Sequence, residues 1–496
     1  MDNIPEIKAG IVAVSRDCFP RELSEARLKK LADDCKKCKI AATACETLVE
    51  KESEVPAALA ELASRGLNAL VIYLGNFGPE GPVSMLAQRF SGPVMLCGAA
   101  EEDADNLIQG RGDAFCGLLS SVYNCNIRGV RVYLPDRPVG LPERVAGEIE
   151  IFIPVARALV GLKKLKVFAF GPRPYDFVAC NAPIKPLYDL GVEVMENSEL
   201  DLFDIFQAAE NHPDLEAVAE DMRLELAGKG GSTDRKLLLR LARLECALLD
   251  FYKNNKGACE YAVFANKCWP AFEKYFRCVP CFPNSRLATR GIPVACEADI
   301  YGAVSEYLCT AVTGKPPAIL DINNTVPPQM YAKAGPAVKG WRPEELFMGF
   351  HCGNTSSKCM LGCTIKFQLI MHRLMEPGRE PEITRGTLEG RIAPGPLTVF
   401  RLQGTADCRL DAYVAQGEVL DVDPQSFGCI GVIGVQELDR FYRHVLLGRA
   451  FPHHTAVAFD HAGRSLFEVA KLLGIKEVGY NRPKGERYPG ENPFAN

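Results

Sequence analysis

Apolar and helical stretches alternate through the first third of the chain. AGIVAV, KIAAT, ALVIYL and PVMLC are short aliphatic runs that predict buried strands. Between them ELSEARLKKLADDCKK, VPAALAELASRG and VSMLAQRF place apolar residues three and four apart, the spacing of one helix face. That alternation implies a doubly wound parallel sheet. A second series runs from LKVFAFGPRP through IKPLYDLGVEVME and a long helix around DRKLLLRLARLECALLDFYKNN to YAVFANKCWP and PPAILDINN. GKGGSTD (228–234) reads as an exposed loop feeding the long helix, with Asp234 or Thr233 as its cap. Beyond about residue 340 the period changes. EITRGTLEGRIAPGPLTVFRLQGTADCRLDAYVAQGEVLDV alternates, with Thr, Val and Gly/Pro punctuation, and predicts antiparallel β-structure. AGRSLFEVAKLLG then closes the chain as an amphipathic helix. The expected fold is two doubly wound, Rossmann-like α/β domains, residues 1–163 and 164–340. A mainly antiparallel β domain, a small barrel at 341–496, follows them.

Composition narrows the class. Hydrophobic residues make up 47% of the 496 and charged residues 24%, ordinary for a soluble globular protein. A net charge of −5 argues against a nucleic-acid partner. No apolar stretch has membrane-spanning length, and MDNIPEIKAGIVAV reads as a first strand rather than a leader, so a cytoplasmic protein with no membrane partner is expected. The 20 cysteines are scattered through helices and strands, which suits reduced thiols. CKKC (Cys35, Cys38) and CVPC (Cys278, Cys281) are too far apart for the spacing of a zinc ribbon.

Chemistry concentrates in three places. Glu297 is expected to open a helix in VACEADIYGAVSEYL, and Asp321 to end the apolar run in PPAILDINN. One helix and one strand between them can return the chain so that both carboxylates meet at one end of a sheet. PHHTAVAFDHAG holds His453, His454 and His461 in a chain with only seven histidines. Two carboxylates and an imidazole suit Mn²⁺, or another divalent ion such as Co²⁺ or Mg²⁺. Taken singly, Glu297 is a first-turn glutamate favoured by the helix dipole, Asp321 a cap and His454 a turn histidine. Convergence decides between the two readings. YLGNFGPEGP (73–82) lacks the GxGxxG pattern and the P-loop lysine, which argues against a nucleotide site. It sits at a strand's C-terminal end, where Asn76 and Glu80 are candidate substrate or subunit contacts, or a tight turn. Cys268 and Cys352 are alternative nucleophiles with no evident base.

The segment FANKCWPAFEKYFRCVPCFPNSRLATRGIPVACEADIYGAVSEYL, with PAILDINN and the C-terminal HHTAVAFDHAG, resembles the L-fucose/L-arabinose isomerase superfamily. The resemblance implies that Glu297 and Asp321 are catalytic and bind metal, and that His454 is the third ligand. His453 takes a substrate-contacting position, and Trp269 in NKCWP is a further candidate contact. His351 in FMGFHCGN resembles the additional metal-ligand histidine of the arabinose branch. Arg16 in SRDCFPRE, with Arg21 as runner-up, matches an arginine that reaches substrate, often at a neighbouring subunit's site. A homo-oligomer, commonly a hexamer, is implied. The activity implied is aldose–ketose isomerisation through an enediol, with Glu297 as base and Asp321 its partner. Fucose-like, arabinose-like or modified hexoses are open as substrates. A sulfonated hexose is the alternative, with Arg173, Arg286 or Arg464 on its negative head group. A non-catalytic sugar-binding protein is the reading from another class, and metal content separates it from the first.

Overall fold

The structure is a computed structural model that describes residues 1–227 and 234–494. It divides into two compact units, Pro5–Val160 and a larger one formed by Met1–Ile4 with Gly161–Asn496.

The smaller unit is a parallel sheet of β1 (Ala9–Val14), β2 (Ala42–Ala44), β3 (Ala69–Leu74), β4 (Val94–Ala99) and β5 (Val139–Gly140), in the order β2-β1-β3-β4-β5. β1, β3 and β4 are buried along their whole length. That is why they read as unbroken aliphatic runs: a parallel sheet covered on both faces has no polar side. Leu62, Leu86 and Leu118 from three helices pack on Val12, Ile72 and Leu96.

The larger unit joins two sheets. β6 (Leu165–Phe170), β7 (Glu193–Asn197), β8 (Tyr261–Asn266) and β9 (Val294–Ala295) form a parallel sheet in the order β7-β6-β8-β9. The long helix is Arg235–Asn255, buried through Leu237, Leu241, Leu244 and Leu248 and capped by Asp234, which accepts the Leu237 N–H at 3.1 Å. Thr233 and the rest of the expected 228–233 loop lie outside the described residues.

The second sheet has nine strands: β10 (Pro317–Thr325), β11 (Leu346–His351), β12 (Met360–Phe367), β13 (Arg385–Ile392), β14 (Gly395–Gly404), β15 (Leu410–Leu420), β16 (Cys429–Val435), β17 (His454–Ala458) and β18 (Gly479–Tyr480). Its order contains the run β16-β11-β10-β17-β14-β15, and β15 pairs back onto β16. Those six antiparallel strands close a small barrel, filled by residues such as Leu320, Val399, Tyr413, Ile433 and Val457. β10, which carries Asp321, is therefore a barrel strand, although the sequence groups it with the preceding α/β layer. The helix Ile300–Thr313 links the layers: it is buried almost throughout and packs on β8 of the parallel sheet and on β10, β14 and β17 of the barrel.

Candidate metal and active centre

The linking helix begins later than its sequence suggests. Asp299, not Glu297, is its N-cap, and the Asp299 carboxylate accepts the Gly302 N–H at 2.8 Å. Glu297 lies in the turn between β9 and the helix, with φ of +53°, and Ala298 follows at +54°. Two successive non-glycine residues in the left-handed region cost on the order of 1–3 kcal/mol each. The turn is held by the Ala298 N–H on the Asn266 carbonyl and the Asp299 N–H on the Cys296 carbonyl, each 3.0 Å. This geometry directs the Glu297 carboxylate at two histidines.

The barrel supplies the other groups. Asp321 and His454 are direct cross-strand partners on β10 and β17, and Asp321 faces Phe350 on β11, one residue before His351. Glu297 Oε2 lies 3.3 Å from His454 Nε2 and 3.6 Å from His351 Nε2. Asp321 Oδ1 lies 3.4 Å from His454 Nε2 and 3.8 Å from His453 Nε2. Glu297 Oε2 and Asp321 Oδ1 are both buried and accept no hydrogen bond. Burial pushes the Glu297 carboxyl up, but His351 and His454 override it and hold the group well below the usual carboxylate range. Two orphaned carboxylate oxygens around one imidazole nitrogen form an O,O,N donor set that fits a divalent cation.

The two buried histidines differ in what they offer. His454 Nδ1 faces Asp299 Oδ2 at 3.0 Å, with the Cys180 thiol at 3.4 Å. Asp299 is clamped by Arg401 at 2.5 and 2.9 Å, and the Gln403 side-chain oxygen accepts from the same guanidinium at 2.6 and 2.9 Å. Both members of the Asp299–Arg401 pair are wholly buried. An acceptor at Nδ1 fixes a proton there, sets the ring's orientation and aims Nε2 at Glu297 and Asp321. Burial lowers the His454 pKa, but Asp299, Cys180 and Glu297 together raise it well above the ordinary value. His351 Nδ1 instead accepts the Cys352 N–H at 2.9 Å. In that tautomer its Nε2 presents an N–H to Glu297. Among the described residues the donor atoms of Asp321, His351 and His454 lie within 4.8 Å of one another, as do those of Cys296, Glu297 and His351, and Glu297 meets the first group at His454 Nε2.

The remaining candidates divide. His453 lies at the rim, 38% exposed, its ring 5.5 Å from that of Phe177, which meets Trp269 edge-on at 5.7 Å. Burial and the adjacent His454 lower the His453 pKa. Arg16 and Asn76 belong to the Pro5–Val160 unit. There the Arg16 guanidinium stacks on Phe77 at 4.6 Å and makes no ion pair among the described residues, whereas Arg21 is paired with Glu25 and Glu50. Asn76 is wholly buried, and its amide is spent on the backbone of Arg16, Gly78 and Pro20 and on Ser15. It shapes the turn that presents Arg16 and has no atom left for a ligand. Arg286 is likewise unavailable to an anion, being buried among Glu245, Asp221 and Glu225. Burial, with the charge of Glu273 on Cys268 and of Glu297 on Cys352, raises both thiol pKa values far above neutrality, so neither is a ready nucleophile. CKKC and CVPC fall in none of the metal-like clusters among the described residues.

Asp299, Arg401 and Gln403 escaped the sequence reading. The one available signal was Arg401 itself, a lone cation inside the apolar strand LTVFRLQG.

Residues 10–163 match the N-terminal domain of the fucose/sulfoquinovose isomerases, and residues 349–480 the C-terminal domain of the L-fucose isomerases. The chain belongs to the fucose isomerase-like superfamily. His351 and His454 fall within the second match, while Glu297 and Asp321 lie between the two. A sulfoquinovose isomerase of Clostridium sp. is 25% identical over 423 residues, 83% of this chain and 86% of that one. One of Priestia megaterium is 23% identical over 358 residues, 70% of each chain. One of Alkalicoccus urumqiensis is 23% identical over 321 residues, 64% of this chain and 65% of that one. This chain therefore aligns with just under two thirds of the Alkalicoccus protein's length. An ABC transporter solute-binding protein from Conexibacter woesei covers 52% of this chain at 12% identity and a TM-score of 0.14, a likeness that carries no argument.

Proposed function

We propose that this protein is a metal-dependent aldose–ketose isomerase of a sulfonated hexose, such as sulfoquinovose. One observation carries the reading: Glu297, Asp321 and His454 converge with two buried carboxylate oxygens left unpartnered. Membership of an isomerase superfamily and relatives bearing the sulfoquinovose isomerase name support the reaction and the substrate class. Hard oxygen donors with a single imidazole favour Mn²⁺, with Co²⁺ or Mg²⁺ as substitutes.

Glu297, held anionic, is the base that removes the C2 proton of the open-chain aldose and returns it to C1. Asp321 relays the hydroxyl proton from O2 to O1, so that no atom is gained or lost. A bound divalent cation would supply the positive charge that stabilises the enediolate oxygens. His454, fixed by Asp299, holds the third ligand position, and the His351 N–H steadies the Glu297 carboxylate. His453, Phe177 and Trp269 form the rim against which the sugar lies. Arg16, stacked and without an ion pair, suits the sulfonate, and would serve the site of a neighbouring copy in a homo-oligomer, a hexamer on the family's pattern. Twenty free cysteines fit the reducing cytoplasm.

The test is a panel of aldoses, sulfoquinovose, fucose, arabinose and glucose among them, incubated with Mn²⁺ in D₂O and followed by NMR. Sulfoquinovose should gain deuterium at the migrating position as ketose appears. Full turnover after rigorous metal removal would sink the metal-dependent mechanism. Turnover of fucose with none of sulfoquinovose would sink the substrate assignment.

A further inference from the structure

The helix Ala114–Ile127 of the Pro5–Val160 unit carries an apolar stripe that faces water. Phe115, Leu119, Tyr123 and Ile127 follow one another at intervals of four and are 70, 67, 67 and 63% exposed. The opposite face is spent normally: Ala114, Gly117, Leu118, Ser121 and Cys125 are buried, and the helix packs on the helix Glu80–Arg89 and on β4. The helix, AFCGLLSSVYNCNI, has no charged residue along its length. A surface helix of a monomer ordinarily places charges where this one places its largest side chains, and contiguous exposed apolar patches mark contacts.

We infer that this stripe is a self-association seam, occupied by the same helix of a second copy of the chain packed antiparallel about a two-fold axis. The spacing is symmetric about Ser121. An antiparallel pairing therefore sets Leu119 of one copy against Tyr123 of the other, and Phe115 against Ile127, leaving no stripe residue unmatched. Its ends are complementary too. Asp113 stands at the N-terminal end and Arg128 at the C-terminal end, so the two-fold brings Asp113, already held by Arg111 at 3.1 Å, beside the second copy's Arg128. Antiparallel helix dipoles add in the same sense. The stripe runs ~20 Å at 1.5 Å per residue. Phe115 and Tyr123, about two thirds exposed, each leave roughly 100–170 Å² to be covered, which supplies the apolar centre of an interface of about 800 Å² per partner. A neutral, self-matching surface of this kind suits an isologous contact. The inference names the surface behind the homo-oligomer proposed above and rests on that part of the reading.

Light scattering and a cross-link test it on the full chain. Leu119→Glu with Tyr123→Glu should halve the mass and weaken association more than ten-fold. Both positions are exposed, so circular dichroism should not change. In otherwise unaltered protein, Asn126→Cys should oxidise to a disulfide with Cys116 of the other copy, since the two-fold pairs positions 116 and 126. Peptide mapping identifies that bond against the exposed Cys18, Cys38 and Cys408. An unchanged oligomer in the double variant would overturn the seam while leaving self-association intact. A monomeric native protein would overturn both. Loss of association without the Cys116 cross-link would overturn the two-fold pairing.

Discussion

Two clusters of charge are buried in the larger unit, and they are built to opposite ends. Around Arg286 every group is answered: the guanidinium meets Glu245 and Asp221 at 2.6 Å each and Glu225 as well, and Arg290 shares Glu245 at 2.6 Å. Around Glu297 the protein brings carboxylates and imidazoles together and stops short, leaving Glu297 Oε2 and Asp321 Oδ1 without a hydrogen bond. Burial and charge alone do not separate a structural network from a reactive one. What separates them is completeness of pairing: the saturated cluster has nothing to give a ligand, and the unsaturated one has buried acceptor atoms left over.

The largest effect should come from breaking the unsaturated cluster. Glu297→Gln keeps shape but removes the proposed base, and kcat should fall by about 10²–10⁴-fold or more in the aldose assay. Near-native turnover and solvent exchange would end the assignment. The saturated cluster should answer in stability instead. Arg286→Met leaves Glu245 only Arg290, and denaturant melts should show a loss of about 3–5 kcal/mol, with Mn²⁺ affinity by calorimetry unchanged. A shift in Mn²⁺ affinity there would erase the contrast between the clusters.

A further buried carboxyl sharpens the criterion because no cation among the described residues answers it. Glu273 is fully buried, and burial raises its pKa to about 7, with its own backbone N–H and the Cys268 thiol offsetting only part. The folded state then holds a proton that the unfolded chain releases near the ordinary value of 4.5. Stability from this group is therefore intact below that value and falls as pH rises toward 7, by about 3 kcal/mol in all. Glu273→Gln should flatten the fall between pH 5 and 8, and an unaltered pH–stability curve would refute the burial account. The smallest effect tests orientation. Asp299→Asn should lower Mn²⁺ affinity by about 10–100-fold through His454, read by calorimetry on protein shown folded by circular dichroism. Unchanged affinity would remove Asp299 from its positioning role.

Much of this was legible from the residues, for reasons that also mark the limit. Glu297, Asp321 and His454 stand out through the resemblance to the isomerase superfamily, supported by the cluster of histidines in a histidine-poor chain, and the alternation after residue 340 announces the barrel. Helix onset at Glu297 was misjudged because a glutamate there satisfies the dipole argument as well as Asp299 does. The left-handed turn that settles the matter uses Glu and Ala, not the glycine that would advertise it. The place of β10 is a matter of long-range pairing with β17, which no local period encodes. Asn76 and Arg286 looked available because their partners, Ser15 in one case and Glu245 in the other, are neighbours only in space.

The pairing of Asp321 directly across from His454 makes the centre a reporter of strand register. Successive side chains on a strand point to opposite faces, so a slip of one residue between β10 and β17 would turn one of these groups away from the other. No intermediate slip preserves half a site. On the proposed metal-dependent function, grafts and loop exchanges among relatives can therefore be screened for correct threading by metal retention, before any sugar is tried. Asp321, His351 and His454 travel with β10, β11 and β17, whereas Glu297 comes from the turn after β9, so the piece to move whole is those three strands together with that turn.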